Sequence, residues 1–185
     1  MASAISHAVA ALAIGAAFYR PSAPKRIWLA GIACSVLPDL DVIGFRFGIH
    51  YDDFWGHRGF THSLPFALIL GGMTTFLIAR SLPAIQRLCL FLYLTLATAS
   101  HGLLDAMTNG GLGVAFFSPF ENSRYFLAFR PIRVSPIGVS RFFSARGVAI
   151  VRSEIVWIWL PSLLFVLLVA IWRRNNQVKA ATPTD

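Results

Sequence analysis

The segment His101-Gly-Leu-Leu-Asp105 sets an imidazole and a carboxylate four residues apart. On a helix that spacing puts both on one face. The pair closes an otherwise apolar run, Leu88–Met107. Ionisable groups inside such a run are costly, so they are usually paired or functional. Pro38-Asp39-Leu40-Asp41 adds two carboxylates just past another apolar run. Adjacent carboxylates shift each other's pKa unless a cation sits between them, although aspartates also favour loops and caps for plain reasons. His57-Arg58-Gly59-Phe60-Thr61-His62-Ser63 supplies two imidazoles around a glycine that permits a sharp bend. Thr61 or Ser63 suits the cap of the following helix. Neutral imidazole is the commonest side-chain metal ligand. His7 stands alone on an apolar stretch, where a satisfied interfacial histidine is the plain alternative. His50, Asp52 and Asp53 read as ordinary loop residues. Glu154 opens the last apolar run, where a carboxylate suits the positive end of a helix dipole, and from there it could reach the other groups.

Together these are nitrogen and oxygen donors without thiolate, which suits Zn²⁺, with Mn²⁺ or Fe²⁺ also admissible. Such a site activates water against a carbonyl or phosphoryl centre. Asp39, Asp41 and His57 are the candidates for proton transfer. Cys34 and Cys89 lie inside apolar runs without metal spacing and read as inert buried thiols.

The elements that must position these groups are membrane helices. Of 185 residues 56% are hydrophobic, and only 13% are charged, against about a quarter in soluble chains. The apolar residues form blocks approaching the roughly 17–25 residues that a span requires. The expected architecture is all-α: a polytopic bundle of four to five membrane helices over 3–19, 27–37, 63–79, 88–107 and 154–172. The first two are short enough to be re-entrant. Proline breaks the turn 20–26 and ends the second helix at Pro38. A polar loop layer, 39–62, and a long segment, 108–153, complete the picture. Residues 1–174 read as one integral membrane domain and 175–185 as a polar, disordered tail. No basic residue precedes Arg20, so the first block reads as a retained helix rather than a cleaved leader.

Alternating helix direction then sorts the chain. One side holds the 20–26 and 80–87 turns and the C-terminal tail; the other holds the 39–62 and 108–153 segments. Seven of the eight acids and all five histidines fall on or next to the second side, although charge played no part in placing the helices. The 16 lysines and arginines divide evenly. The first side concentrates its share in tight turns and a tail, so the positive-inside tendency places it in the cytoplasm and the His/Asp face outside. A net charge of +8 is accounted for by helix anchoring at headgroups. No basic helix or basic–aromatic module points to nucleic acid.

His7, Pro38-Asp39-Leu40-Asp41, His57–Ser63, His101–Asp105 and the following Thr108-Asn-Gly-Gly resemble the YdjM family of membrane-bound, metal-dependent hydrolases. The likeness covers about residues 1–140. That family is similar to zinc-dependent phospholipases C, which implies a phospholipase C-like helical core. It also implies metal ligation by His7, Asp39 or Asp41, His62, His101 and Asp105, with His57 a ligand or its partner. The phospholipases' additional helical His-x-x-x-Glu pair is absent, which implies one or two ions rather than three. The expected activity is hydrolysis of a phosphate ester in a lipid or lipid-linked substrate, in the cytoplasmic (inner) membrane of a bacterium or archaeon. Arg58, Arg124 and Arg130, and with them Arg133, Arg141, Arg146 and Arg152, are candidates for binding substrate phosphate, or equally for touching bulk headgroups. Two other readings use the same residues: an ion or proton transporter, which would spread its ionisable groups through the membrane depth, and a non-catalytic protein with a structural metal.

Overall fold

The computed structural model describes residues 1–136 and 145–181. Its named elements are all helical: α1 (Ala4–Phe18), α2 (Lys25–Val36), α3 (Leu64–Ile78), α4 (Ala84–Ala106), α5 (Ala145–Glu154) and α6 (Leu160–Ala181). Among the described residues β-structure is limited to two isolated bridges, Thr108 with Ile132 and Val114 with Tyr125. Three helical stretches among the described residues are long and apolar enough to cross a membrane: Lys25–Phe47, Ala84–Ala106 and Gly147–Gln177. Two shorter apolar helices, Ala4–Phe18 and Leu64–Ile78, accompany them.

α4 is the central rod, packing on α1, α2 and α3. Its buried face, with Leu90, Tyr93, Leu94 and Ala97, meets Ala11 of α1 and Ile27 and Cys34 of α2. One helical period further on, the same face supplies His101 and Asp105. The site therefore grows directly out of the core seam.

Two boundaries differ from expectation, both for identifiable reasons. Pro38 does not end the second helix but changes its type. Leu37 remains helical (φ −56°, ψ −35°), and a 3₁₀ helix runs from Leu37 to Phe47. Proline's missing N–H removes an α-type hydrogen bond at the first turn, where the tighter winding does not need it. Both aspartates thus sit on a helix rather than in a loop. The last helix starts earlier than 154, because α5 continues through a π turn at Ile155–Trp159 into α6. It also runs on to Ala181, through much of the stretch read as a tail.

Glu154 consequently caps a helix other than its own. Its buried carboxylate accepts from Ser3 N (2.6 Å), Ser3 Oγ (2.6 Å) and Ser6 Oγ (2.8 Å) at the start of α1. Nineteen residues later Arg173 donates to the carbonyls of Tyr19 and Ala17 at the other end. The long rod and α1 therefore run parallel, with an acid at the positive end of α1 and a cation at its negative end.

Candidate metal centre

Three segments deliver the site. His101 and Asp105 come from α4, Asp39 and Asp41 from the 3₁₀ helix, and His57 and His62 from the loop that precedes α3. That loop is held firmly. Ser63 caps α3 by accepting from Phe66 N at 3.1 Å. Arg124 donates to the carbonyls of His57, Tyr51 and Asp53. The bend uses left-handed backbone at Arg58 (φ 65°), not at Gly59. Gly59 is needed for a different reason: a Cβ there would collide with the Phe54 carbonyl. Gly102 plays the same part on α4, where a Cβ would lie 2.6 Å from the His62 carbonyl. Bare backbone at this position lets the loop approach the helix.

Asp39, His62, His101 and Asp105 form one buried group whose ligand atoms lie within 4.8 Å of one another. His62 Nε2 is 3.0 Å from His101 Nε2. Asp39 Oδ1 lies 3.3 Å from His101 Nε2 and 3.7 Å from His62 Nε2. Asp105 Oδ2 is 3.7 Å from His62 Nε2. Donors at zinc-like bond lengths of about 2.0–2.2 Å in a tetrahedron stand about 3.4 Å apart, so these separations match a shared ion.

The far side of each ring is fixed. His101 Nδ1 donates to the Ser35 carbonyl at 2.6 Å, and His62 Nδ1 faces Asp41 Oδ2 at 3.2 Å. Both Nε2 atoms thus turn toward each other, and a proton or a metal ion must bridge them. A proton on His62 is one such bridge. Burial of the ring opposes it, but the facing carboxylates of Asp39 and Asp41 outweigh burial and raise the His62 pKa to about 9. Even so, among the described residues neither buried oxygen of Asp39 has a hydrogen-bond partner. Asp105 pairs with the buried guanidinium of Arg58, whereas Asp39 and Asp41 face histidines. A divalent cation in place of the His62 proton would bring these carboxylates a stronger counter-charge, so the residues fit a metal ion.

Asp39 and Asp41 do not share a lone-pair direction. At about 120° per residue in a 3₁₀ helix, positions two apart diverge, and the two acids meet opposite nitrogens of His62. Asp41 is saturated: it accepts from His57 Nδ1 (2.7 Å), Arg58 N (3.2 Å) and Thr61 Oγ1 (2.8 Å). Asp41, His57 and His62 form a second group able to hold a metal. Its 2.7 Å contact, however, has the length of a direct hydrogen bond rather than of two donors around an ion. Burial lowers the His57 pKa, and the bond to Asp41 opposes that shift.

His7 belongs to neither group. It stacks on His101 with ring centroids 3.7 Å apart, and its Nε2 lies 3.6 Å from Asp105 Oδ1. Among the described residues neither of its nitrogens has a hydrogen-bond partner. Glu154 is engaged at the head of α1 instead.

The arginines expected to receive phosphate are arranged differently. Arg58 is completely buried. It donates through Nε to Asp105 Oδ2 (3.0 Å), through Nη2 to Thr108 Oγ1 (2.9 Å) and through Nη1 to the Gly110 carbonyl (2.8 Å). Enclosed in this way, it positions Asp105 and has no open face for substrate. Arg124 is spent on the loop carbonyls. Arg130 is exposed and lies over the Phe126 ring, and Arg141 falls outside the described residues. Sequence reasoning missed Ser35, whose carbonyl orients His101. A main-chain acceptor leaves no trace in residue type.

The sequence model for the YdjM inner membrane protein family matches residues 1–177. Inner membrane protein YbcI of Escherichia coli (strain K12) is 39% identical over 175 residues, covering 95% of this chain and 100% of that protein. No solved structure matches.

Proposed function

This chain belongs to the YdjM family of inner membrane proteins, and from that premise we propose that it is a metal-dependent hydrolase acting on a phosphate ester of a lipid or lipid-linked molecule. One observation carries the reading. Among the described residues, two oriented imidazoles and a carboxylate without a hydrogen-bond partner, Asp39, converge on one point. Zn²⁺ is the ion that a nitrogen-and-oxygen set of this size suits best. Bound there, it would polarise a phosphoryl oxygen and make water acidic enough to attack at neutral pH.

The chain's own residues supply the rest. His62 and His101 hold their lone pairs toward the site because Asp41 and Ser35 occupy their other nitrogens. Asp39 has an oxygen left to accept the proton of the attacking water. The His57–Asp41 pair steadies His62 rather than reacting itself. Arg58 keeps Asp105 in place and offsets its charge. The ionisable groups gather at one end of the bundle, unlike a transport path through the membrane depth. We assign that end to the external face, because the opposite turns concentrate lysine and arginine.

The test is metal analysis of the purified protein, followed by turnover on a panel of phospholipid and lipid-linked phosphoesters. Wild type should bind metal and release product, and His101→Ala and Asp39→Ala should do neither. Unaltered turnover in both variants would refute the assignment. Bound metal with no turnover on any phosphoester would favour a structural ion.

A further inference from the structure

The 3₁₀ helix Leu37–Phe47 carries an apolar stripe on its outside. Residues three apart eclipse one another in this helix type, and Leu37, Leu40 and Ile43 follow that period at 37%, 57% and 50% exposure. Arg46 continues the line and is exposed, and the neighbouring Phe47 is 80% exposed. The segment also completes the stretch Lys25–Phe47, whose length and hydropathy suit a membrane span. A stripe of this composition on such a stretch suits hydrocarbon better than water. Arg46 ends it with a long cationic side chain of the kind that reaches anionic headgroups.

On the same helix, between Leu37 and Leu40, sits Asp39. Its side chain keeps 8% of its surface exposed, whereas His62, His101 and Asp105 keep none. The exposed edge of the metal cluster is thus carried by this helix, on the flank about 120° around from the stripe. An amphiphile lying along the stripe could reach that edge without leaving the bilayer.

We propose that the site is loaded sideways from the membrane, with Leu37, Leu40 and Ile43 seating the acyl chain of a bilayer-embedded phosphate amphiphile. This rests on the metal-centre reading above and adds the route and the residues that select a membrane-anchored substrate.

A binding experiment on the full chain in nanodiscs tests it without requiring turnover. The protein is loaded with Co²⁺, whose visible spectrum reports ligands arriving at the metal. Two non-hydrolysable probes are compared: a diacyl phospholipid phosphonate and soluble methylphosphonate. Leu40→Glu should weaken the response to the lipid phosphonate roughly tenfold or more, because a charge on the lipid face opposes the chain. Its response to methylphosphonate should stay unchanged, and that unchanged response also shows an intact fold. Phe120→Glu, at an exposed apolar residue of the 108–153 segment, should leave both responses alone. Equal weakening of both probes by Leu40→Glu, or of neither, would overturn the lateral route while leaving the metal centre standing. Absence of any cobalt spectrum in wild type would remove the centre and the route together.

Discussion

Replacing Arg58 by methionine gives the sharpest prediction on stability. The wild-type side chain is fully buried and spreads three donors over Asp105, Thr108 and Gly110. Methionine keeps much of the volume but none of the donors, so Asp105 loses its guanidinium and keeps only the backbone donor Ala2 N on Oδ1 (2.7 Å). Removing one partner of a buried ion pair costs about 3–5 kcal/mol. Relief of strain is not expected to offset this, since methionine inherits the left-handed backbone at φ 65°. For a chain of this length, about 2–4 °C per kcal/mol translates the loss into a melting shift of roughly 6–20 °C. Thermal unfolding in detergent, with and without chelator, measures it. Asp105→Asn supplies the control, because Arg58→Met should cost about 2 kcal/mol less in that background if the two groups are coupled. A single-variant loss below about 1 kcal/mol, or strict additivity in the cycle, would show that the buried pair does not hold the site.

Other consequences are more quickly stated. Glu154→Ala strips three acceptor contacts from Ser3 and Ser6 and should cost about 3 kcal/mol, with metal content unchanged; metal loss would tie Glu154 to the site after all. Gly102→Ala forces the His62 loop away from α4 and should weaken metal affinity about tenfold at nearly normal expression, a shift of about 1.4 kcal/mol. Metal affinity should also depend on pH through His62. Its proton, held up to a pKa of about 9 in the metal-free protein, must leave for the ion to bind. Affinity should therefore rise roughly tenfold per pH unit from 6.5 toward 9 and then level off. The linkage runs the other way for the metal-free protein. The raised pKa contributes stability that is complete below about 6.5 and lost as pH climbs through 9. Chelator-treated protein should thus melt lower at pH 9 than at pH 6.5, and a flat profile would show that His62 holds no such proton.

The helical pairing of His101 with Asp105 was legible from spacing alone, because four residues on a helix fix a common face. Segregation of acids and histidines to one end was equally legible, since helix direction alternates once the apolar blocks are counted. Winding was not. An apolar period of three in Leu37, Leu40 and Ile43 is hidden by the proline that argues for a helix end, so the two aspartates were placed in a loop and treated as one pair. Glu154 misled because an acid at the edge of an apolar run looks like that run's own cap, and its partners Ser3 and Ser6 are about 150 residues away in sequence. A loop arginine such as Arg58 ordinarily reads as solvated. Only the fold shows it enclosed and turned toward α4.

The direct measurement of the central claim is metal analysis combined with X-ray absorption at the metal edge, on protein purified without chelator. The account predicts at least one divalent ion per chain, with two imidazole nitrogens and carboxylate oxygen at about 2.0–2.2 Å, and loss of that signal in Asp39→Ala. A properly folded wild-type protein that holds no stoichiometric metal, or holds it without imidazole ligands, would contradict it.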